Sequence, residues 1–158
     1  MANWKVNPET AAQAGRLAVV SDARGVIVAP PFPFLAVVGR ILKKAVLAAQ
    51  DCHWQSGAFT GEVAVGQLKK TGVRYVIVGH SERRQNFSET DAIVNKKIKA
   101  VLAAGLRPIL CVGESLAIRK KGLAAAQNFI SRQLGADLAG IENSRRLGQK
   151  MIFAYEPI

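Results

Sequence analysis

Five short stretches of the chain are apolar at nearly every position, and longer, more polar stretches separate them. Strands that are buried on both faces of a parallel sheet are near-continuously apolar, whereas half-exposed strands alternate. The pattern therefore predicts buried parallel strands. The stretches are GVIVAPP (25–31), AVLAAQDC (45–52), RYVIVGHS (74–81), RPILCVGE (107–114) and KMIFAYEP (150–157).

The segments between the predicted strands carry the boundary signals of helices. Asn7, Pro8 and Glu9 place a capping residue, a proline and an acid at the start of a first helix. The segment SETD (88–91) opens another helix, for which Gly105 is a suitable C-terminal stop. Repeated alternation of strand and helix predicts a parallel α/β fold with right-handed crossovers.

Two polar residues lie where predicted strands end. His80 follows the apolar run VIVG, and Glu156 follows MIFAY. Chemistry in parallel α/β folds gathers at the carboxyl ends of the strands, so both residues are candidates for a site. Only MANWK precedes the first helical signals, which leaves room for a very short first strand. Periodicity leaves open whether the sheet is open or closed into a barrel.

Length and composition favour one compact globular domain. The chain has 158 residues, of which 49% are hydrophobic and 21% charged. No apolar run reaches the roughly 18 residues of a membrane span, and the N-terminus does not resemble a signal peptide, so we expect a cytoplasmic protein. The two cysteines, Cys52 and Cys111, have no metal-type spacing and are expected to be reduced and buried, which gives no indication of a metal site.

The formal net charge of +11 is high for a protein of this size. Such a charge is typical of proteins that bind nucleic acid, an acidic surface or an anionic substrate. The basic residues are spread over predicted helix faces, and the 6% of aromatic residues are not interleaved with them. A nucleic-acid stacking platform is therefore poorly supported. We interpret the charge mainly as solvated helix faces.

His80 and Glu156 are suited to acid–base chemistry. A histidine at a helix N-terminus is expected to have a lowered pKa, which leaves a neutral imidazole that can donate a hydrogen bond at pH 7. Glu156 lies between apolar residues, where partial burial would raise its pKa and suit it to act as a base. The alternative for His80 is a structural role. Ser81 beside it does not form a nucleophile elbow, because the sequence lacks G-x-S-x-G.

Other candidates are less specific. Alternation along a short first strand would put Asn3 and Lys5 on one face, and an inward ammonium would need an anionic partner; an exposed lysine is the alternative. The loop GAFTGE (57–62) could hold a phosphate or contact a partner. Cys111 is expected to pack near the site and not to act as a nucleophile.

These segments together resemble the triosephosphate isomerase family. The motifs ANWK, APPFPFL, AAQDC, GAFTGE, VIVGHSERR, GLRPILCVGE and FAYEPI occur in the order and near the spacing of that family, over nearly the whole chain. GHSERR and AYEP are the most specific together. The resemblance implies a (β/α)8 TIM barrel, a homodimer and no cofactor. It also implies the interconversion of dihydroxyacetone phosphate and glyceraldehyde 3-phosphate, in glycolysis and gluconeogenesis.

The resemblance also implies roles for single residues. Glu156 corresponds to the base that moves a proton between adjacent carbons, and His80 to the neutral electrophile that polarises the carbonyl. Lys5 corresponds to a lysine that stabilises the negative charge of the substrate and the enediolate, and Asn3 to a substrate-binding asparagine.

Three further positions match supporting residues of the family. Ser81 corresponds to a residue that holds the base in the unliganded state. Glu82 corresponds to a structural carboxylate near the lysine. Thr60, in the loop GAFTGE, corresponds to a residue that reaches the active site of the neighbouring subunit.

The chain departs from the family pattern at both ends. The family continues after AYEP with a mobile lid and two further βα units, which bind the substrate phosphate through backbone amides. Residues 1–158 therefore predict a single barrel domain, truncated at the C-terminus, with about six of eight βα units. We expect this chain alone to be inactive and prone to aggregate, because its sheet edges are open. The alternative function is an inactive partial barrel that acts as a basic binding or interaction module.

Overall fold

The computed structural model of the protein describes residues 1–141 and 148–157. Within these residues, strands and helices alternate. The strands are β1 (Ala2–Asn3), β2 (Ile27–Ala29), β3 (Val46–Ala49), β4 (Tyr75–Val78), β5 (Arg107–Val112) and β6 (Ile152–Tyr155). The α-helices are α1 (Ala11–Ser21), α2 (Leu35–Ile41), α3 (Val65–Lys70), α4 (Ser81–Asn86), α5 (Asp91–Ala103), α6 (Leu116–Arg119) and α7 (Leu123–Asp137), and a 3-10 helix (Phe32–Phe34) precedes α2.

The strands of the described residues lie in the sheet in chain order, from β1 to β6. Their pairing is parallel, with Asn3 opposite Ala29 in β1 and β2, and Leu110 opposite Phe153 in β5 and β6. All five predicted strands are found inside their predicted ranges, and β1 is as short as expected. The predicted α/β fold, with about six of the eight βα units of a (β/α)8 barrel, is confirmed.

The described residues pack into two compact units. The first comprises Met1–Val76 and Ala104–Leu106, and the second comprises Ile77–Ala103 and the described residues of 107–158. Each unit has its own buried apolar residues. The expectation of a single domain over the whole chain stays a prediction.

In the first unit, α1 begins later than its sequence signals indicate. The helix starts after Thr10, whose hydroxyl oxygen accepts the backbone N–H of Gln13, while the Gln13 side chain accepts the N–H of Thr10. This reciprocal pair satisfies two donors that a helix start otherwise leaves without partners. The predicted start at Asn7, Pro8 and Glu9 is therefore wrong by one turn.

In the second unit, α5 buries one face in the core. Val94, Ile98 and Val101 are fully buried, and their spacing of four and three residues puts them on one side of a helix. Each such side chain contributes about 1.5–3 kcal/mol by burial. The helix ends at Ala103, and Gly105 follows with φ 74°, which confirms the predicted stop.

The described helices are short. The longest of them, α7, has 15 residues. No helix in the described part of the chain is long and apolar enough to cross a membrane.

Arg84 of α4 is the centre of a partly buried ion cluster in the second unit. Its Nε donates to the carbonyl of Gly79 at 2.8 Å, and its Nη1 and Nη2 donate to Asp91 at 2.5 Å and Asp137 at 2.7 Å. These bonds join the end of β4 to α5 and α7. The Asp137 carboxyl is fully buried, and burial raises its pKa to about 7 although Arg84 favours the charged form.

The raised pKa of Asp137 makes the stability of the fold depend on pH. In the unfolded chain this carboxyl ionises near its ordinary pKa of 3.8, and in the folded protein it ionises near 7. The unfolded state therefore releases this proton first, and the fold loses stability as the pH rises between these two values. We expect Asp137→Asn to abolish this loss, which is on the order of a few kcal/mol.

Urea unfolding at about pH 4.5 and about pH 7.5 measures this effect. As the pH is raised from the lower to the higher value, the wild type should lose free energy of unfolding, and Asp137→Asn should not show this loss. Glu9→Gln, which removes an exposed carboxylate outside this cluster, serves as the control. A difference between Asp137→Asn and wild type that is constant with pH contradicts the assignment.

Candidate active site

His80 lies two residues beyond β4 and is the N-cap residue of α4. Gly79, with φ 70°, turns the chain out of the strand, and the side chain of His80 is 11% exposed. Its Nδ1 accepts the backbone N–H of Glu82 at 3.3 Å. A ring nitrogen that accepts a hydrogen bond carries no proton, so the ring proton of the neutral imidazole is on Nε2. His80 can therefore donate a hydrogen bond from Nε2.

Glu156 lies directly beyond β6 and faces His80. Its backbone N–H donates to the carbonyl of Val112 at 2.8 Å, which continues the pairing of β5 and β6 by one residue. Its carboxylate oxygen Oε2 is 3.5 Å from Nε2 of His80, and its side chain is 40% exposed. The predicted pair of strand-end residues is therefore brought together within the second unit.

Cys111 lies beside Glu156. Burial and, second, the negative charge of Glu156 raise the pKa of the Cys111 thiol to about 12. The thiol therefore stays protonated at neutral pH and is a poor nucleophile. The prediction that Cys52 and Cys111 are free and buried is confirmed.

Gly113 permits the close approach of the Glu156 backbone. A Cβ atom at position 113 would lie 1.9 Å from the carbonyl oxygen of Glu156 and 2.6 Å from its carbonyl carbon. The backbone N–H of Gly113 donates to Oε1 of Gln133, a buried residue of α7, at 3.2 Å. Any side chain at position 113 would displace Glu156. In the sequence, the only indication that Gly113 matters is its position as a glycine at a strand end. Nothing in the sequence points to Gln133.

A small cavity brings these residues together at the strand ends of the second unit. The wall is formed by side chains and backbone from the ends of β4, β5 and β6 and from α4 and α7. It comprises Gly79, Ser81, Arg84, Cys111, Val112, Gly113, Gln133 and Glu156. Ser81 and Glu156 thus share one cavity, whereas Glu82 is half-exposed with its Oε2 3.7 Å from Nδ1 of His80.

Glu114 was not singled out from the sequence, although it too is a carboxylate that ends an apolar run. Its side chain is fully buried, and both its oxygens accept the hydroxyl of Tyr155, at 2.9 and 3.0 Å. Arg119 donates to it at 3.0 Å. A backbone hydrogen bond and then the Tyr155 and Arg119 contacts hold the pKa of Glu114 below its usual value. Glu114 thereby anchors the residue that precedes Glu156.

Asn3 and Lys5 belong to the first unit. Asn3 ends β1, and its side-chain Oδ1 accepts the backbone N–H of Lys5 at 3.0 Å. Lys5 is exposed and has φ 54°. The expected strand alternation through Lys5 is wrong, because β1 ends at Asn3 and the backbone then turns into the left-handed region.

Thr60 also belongs to the first unit, in the segment 57–62, and it is exposed. Beside it, the ring of Phe59 lies 4.2 Å from the ring of His53. His53 in turn bonds the carbonyl of Val63 through its backbone N–H at 2.8 Å. These contacts fix the segment on both sides of Thr60.

Comparison with known proteins gives a consistent result. The family model "Triosephosphate isomerase" matches residues 1–158. Proteins named triosephosphate isomerase from Chlorobium luteolum, Clostridium botulinum and Aquifex aeolicus are 44%, 43% and 40% identical to the chain, over 99% of its length. The chain spans 64–65% of the length of these relatives. The match extends along the whole sequence, so the chain belongs to the triosephosphate isomerase family.

Proposed function

We propose that this chain carries the acid–base residues of a triosephosphate isomerase, which interconverts dihydroxyacetone phosphate and glyceraldehyde 3-phosphate. The observation that supports this most is the pair of His80 and Glu156, whose Nε2 and Oε2 atoms are 3.5 Å apart at neighbouring strand ends. A base and a hydrogen-bond donor at one point are what a proton transfer next to a carbonyl requires.

In the proposed reaction, the Glu156 carboxylate removes a proton from C1 of dihydroxyacetone phosphate. The electron pair of that C–H bond forms a C1–C2 double bond, and the carbonyl electrons move to the C2 oxygen to give an enediolate. His80 donates a hydrogen bond from Nε2 to this oxygen and exchanges protons between the two oxygens. Glu156 then returns a proton to C2, which yields glyceraldehyde 3-phosphate and restores the carboxylate. The reaction is a proton transfer and needs no oxidant or reductant.

Neighbouring residues support the two groups in this proposal. The protonated Cys111 thiol contacts the Glu156 carboxylate, and Ser81 lines the same cavity, where it can hold the base before the substrate binds. Glu82 fixes the imidazole through its backbone N–H, which leaves the proton on Nε2. A donor aimed at the developing oxyanion contributes about 3–4 kcal/mol to the transition state.

We propose that Lys5 and Asn3 bind the substrate. The ammonium of Lys5 would stabilise the phosphate and the negative charge that develops on the enediolate, and Asn3 fixes the backbone of Lys5. The net charge of +11 favours the approach of an anionic substrate.

Family membership supports further proposals. We infer a homodimer in which Thr60 reaches the neighbouring active site, a cytoplasmic location, and a role in glycolysis and gluconeogenesis. We also infer that residues 1–158 form one domain. The chain spans 64% of the length of its relatives, and we propose that by itself it is inactive. No observation in the described residues favours the alternative of a basic binding module.

Isomerase activity is measured on the chain as it stands and on an extended chain. In the extended chain, residues 1–158 are followed by the part of the Chlorobium luteolum relative that lies beyond the matched region. We expect turnover from the extended chain and little from the 158-residue chain. In the extended chain, Glu156→Gln and His80→Gln should each lower kcat by about 100-fold to 10,000-fold, with a smaller change in KM.

Glu9→Gln is the matched control, because Glu9 is an exposed carboxylate before α1. It should keep the kcat of the extended chain. Glu156→Gln with more than about one tenth of the parent kcat contradicts the proposed base.

A second prediction concerns Gly113. Gly113→Ala would place a methyl group 1.9 Å from the carbonyl oxygen of Glu156 and so push the base out of position. A displacement of about 1 Å can cost about 100-fold in rate, so we expect kcat of the extended chain to fall by at least about 10-fold.

The control for Gly113→Ala is Gly135→Ala in α7. A Cβ atom at Gly135 would meet nothing within 4 Å, and its backbone is helical. This variant should keep kcat and gain about 0.5–1 kcal/mol of stability. If both variants keep full kcat, Gly113 does not position the base.

A further inference from the structure

The backbone of Lys5 has a conformation that few non-glycine residues adopt. Its φ of 54° lies in the left-handed region, where Cβ crowds the backbone, and among the described residues only Ser88 shares such a value without being glycine. Such conformations persist where the surroundings hold them, and they cluster at functional sites. The hydrogen bonds that hold the Lys5 backbone therefore matter for the role proposed for its side chain.

Side chains fix the Lys5 peptide on both sides. On one side, Oδ1 of Asn3 accepts the backbone N–H of Lys5 at 3.0 Å. On the other side, Nε2 of Gln50 donates to the carbonyl of Lys5 at 2.8 Å. The same Nε2 also donates to the carbonyl of Ala29 at 2.9 Å.

Gln50 therefore joins three consecutive strand ends of the first unit. It directly follows β3, Ala29 ends β2, and Lys5 lies two residues beyond β1. Both amide hydrogens of Gln50 are used on carbonyl oxygens, so the orientation of the amide is fixed: the reverse orientation would place its oxygen against two other oxygens. This geometry demands a neutral amide with two donors and a side chain of this length.

We propose that Gln50 is a positioning residue for the isomerase reaction, which acts by holding Lys5 in its left-handed conformation. This inference rests on the proposed substrate-binding role of Lys5. Gln50 itself need not touch the substrate. Without its two hydrogen bonds, the Lys5 peptide relaxes to an ordinary backbone conformation, and the direction in which the lysine side chain leaves the backbone changes with it.

Other side chains at position 50 should fail for separate reasons. Met has a similar length but no donor, so it leaves the carbonyls of Lys5 and Ala29 without this partner. Glu would bring a carboxylate against the same two carbonyls. Asn keeps the donor but is one methylene shorter.

The first test is kinetic and uses the extended chain described above. Gln50→Met and Gln50→Glu should lower kcat/KM by about 10-fold or more, because Lys5 is displaced from the substrate. The same Gln50→Met change in a Lys5→Met background should lower kcat/KM by less than about 2-fold, because the group through which Gln50 acts is then gone. Equal losses in the two backgrounds, or no loss in either, would overturn the proposal.

Gln13→Met is the matched control. Gln13 is also a glutamine of the first unit whose side chain bonds the backbone, at the start of α1. Its substitution should lower stability and leave kcat/KM unchanged. If Gln13→Met reduces kcat/KM as much as Gln50→Met, the effect is general destabilisation and the proposal fails.

The second test does not depend on isomerase activity. Hydrogen–deuterium exchange of the Lys5 amide is measured in the extended chain. Gln50→Met should speed this exchange by about 10-fold or more, because the backbone that presents the N–H to Asn3 is released, and Gln13→Met should not. Unchanged exchange in Gln50→Met overturns the positioning role. A different outcome is that Gln50→Met speeds the exchange but the extended chain has no isomerase activity. That result overturns the proposed function and leaves the structural role of Gln50 in place.

Discussion

The register between β5 and β6 determines where Glu156 lies, and its approach to His80 depends on that register. Val112 is opposite Tyr155, and the next N–H along, that of Glu156, bonds the carbonyl of Val112. A shift of one residue would turn Glu156 to the other face of the sheet. Two contacts at the strand ends hold the register: the buried Glu114 carboxylate binds the Tyr155 hydroxyl, and Gly113 leaves room for the Glu156 carbonyl.

The other member of the pair is held by a separate set of bonds. Arg84 binds the carbonyl of Gly79, directly before His80, and is itself anchored by Asp91 and the fully buried Asp137. The Glu82 amide then orients the imidazole of His80. Of the two candidate groups, His80 is buried and the side chain of Glu156 is 40% exposed, and the Asp137 carboxyl that anchors Arg84 is fully buried. Loss of one partner from such a cluster is costly, because it leaves a buried charge without compensation.

The sequence pattern predicted the strands and the two ends that carry His80 and Glu156, because strands buried on both faces have a continuous apolar signal. It also predicted the end of α5 at Gly105, where a positive φ favours glycine. Family resemblance added the roles proposed for Asn3, Lys5 and Thr60, which no periodicity could supply.

Long-range contacts explain what the sequence left out. Gln133 and Gly113 are 20 residues apart, and Gln50 and Lys5 are 45 residues apart, so nothing local marks them as partners. The start of α1 was misplaced because Asn7, Pro8 and Glu9 are plausible helix-start residues, but Thr10 and Gln13 form the reciprocal cap.

The most direct measurement is deuterium incorporation into substrate carbon when the extended chain turns over dihydroxyacetone phosphate in D2O. We predict that carbon-bound deuterium appears with the parent extended chain and that Glu156→Gln slows its appearance by about 100-fold or more, because the carboxylate carries the proton and exchanges it with solvent. Undiminished incorporation in Glu156→Gln would contradict the assignment of Glu156 as the base.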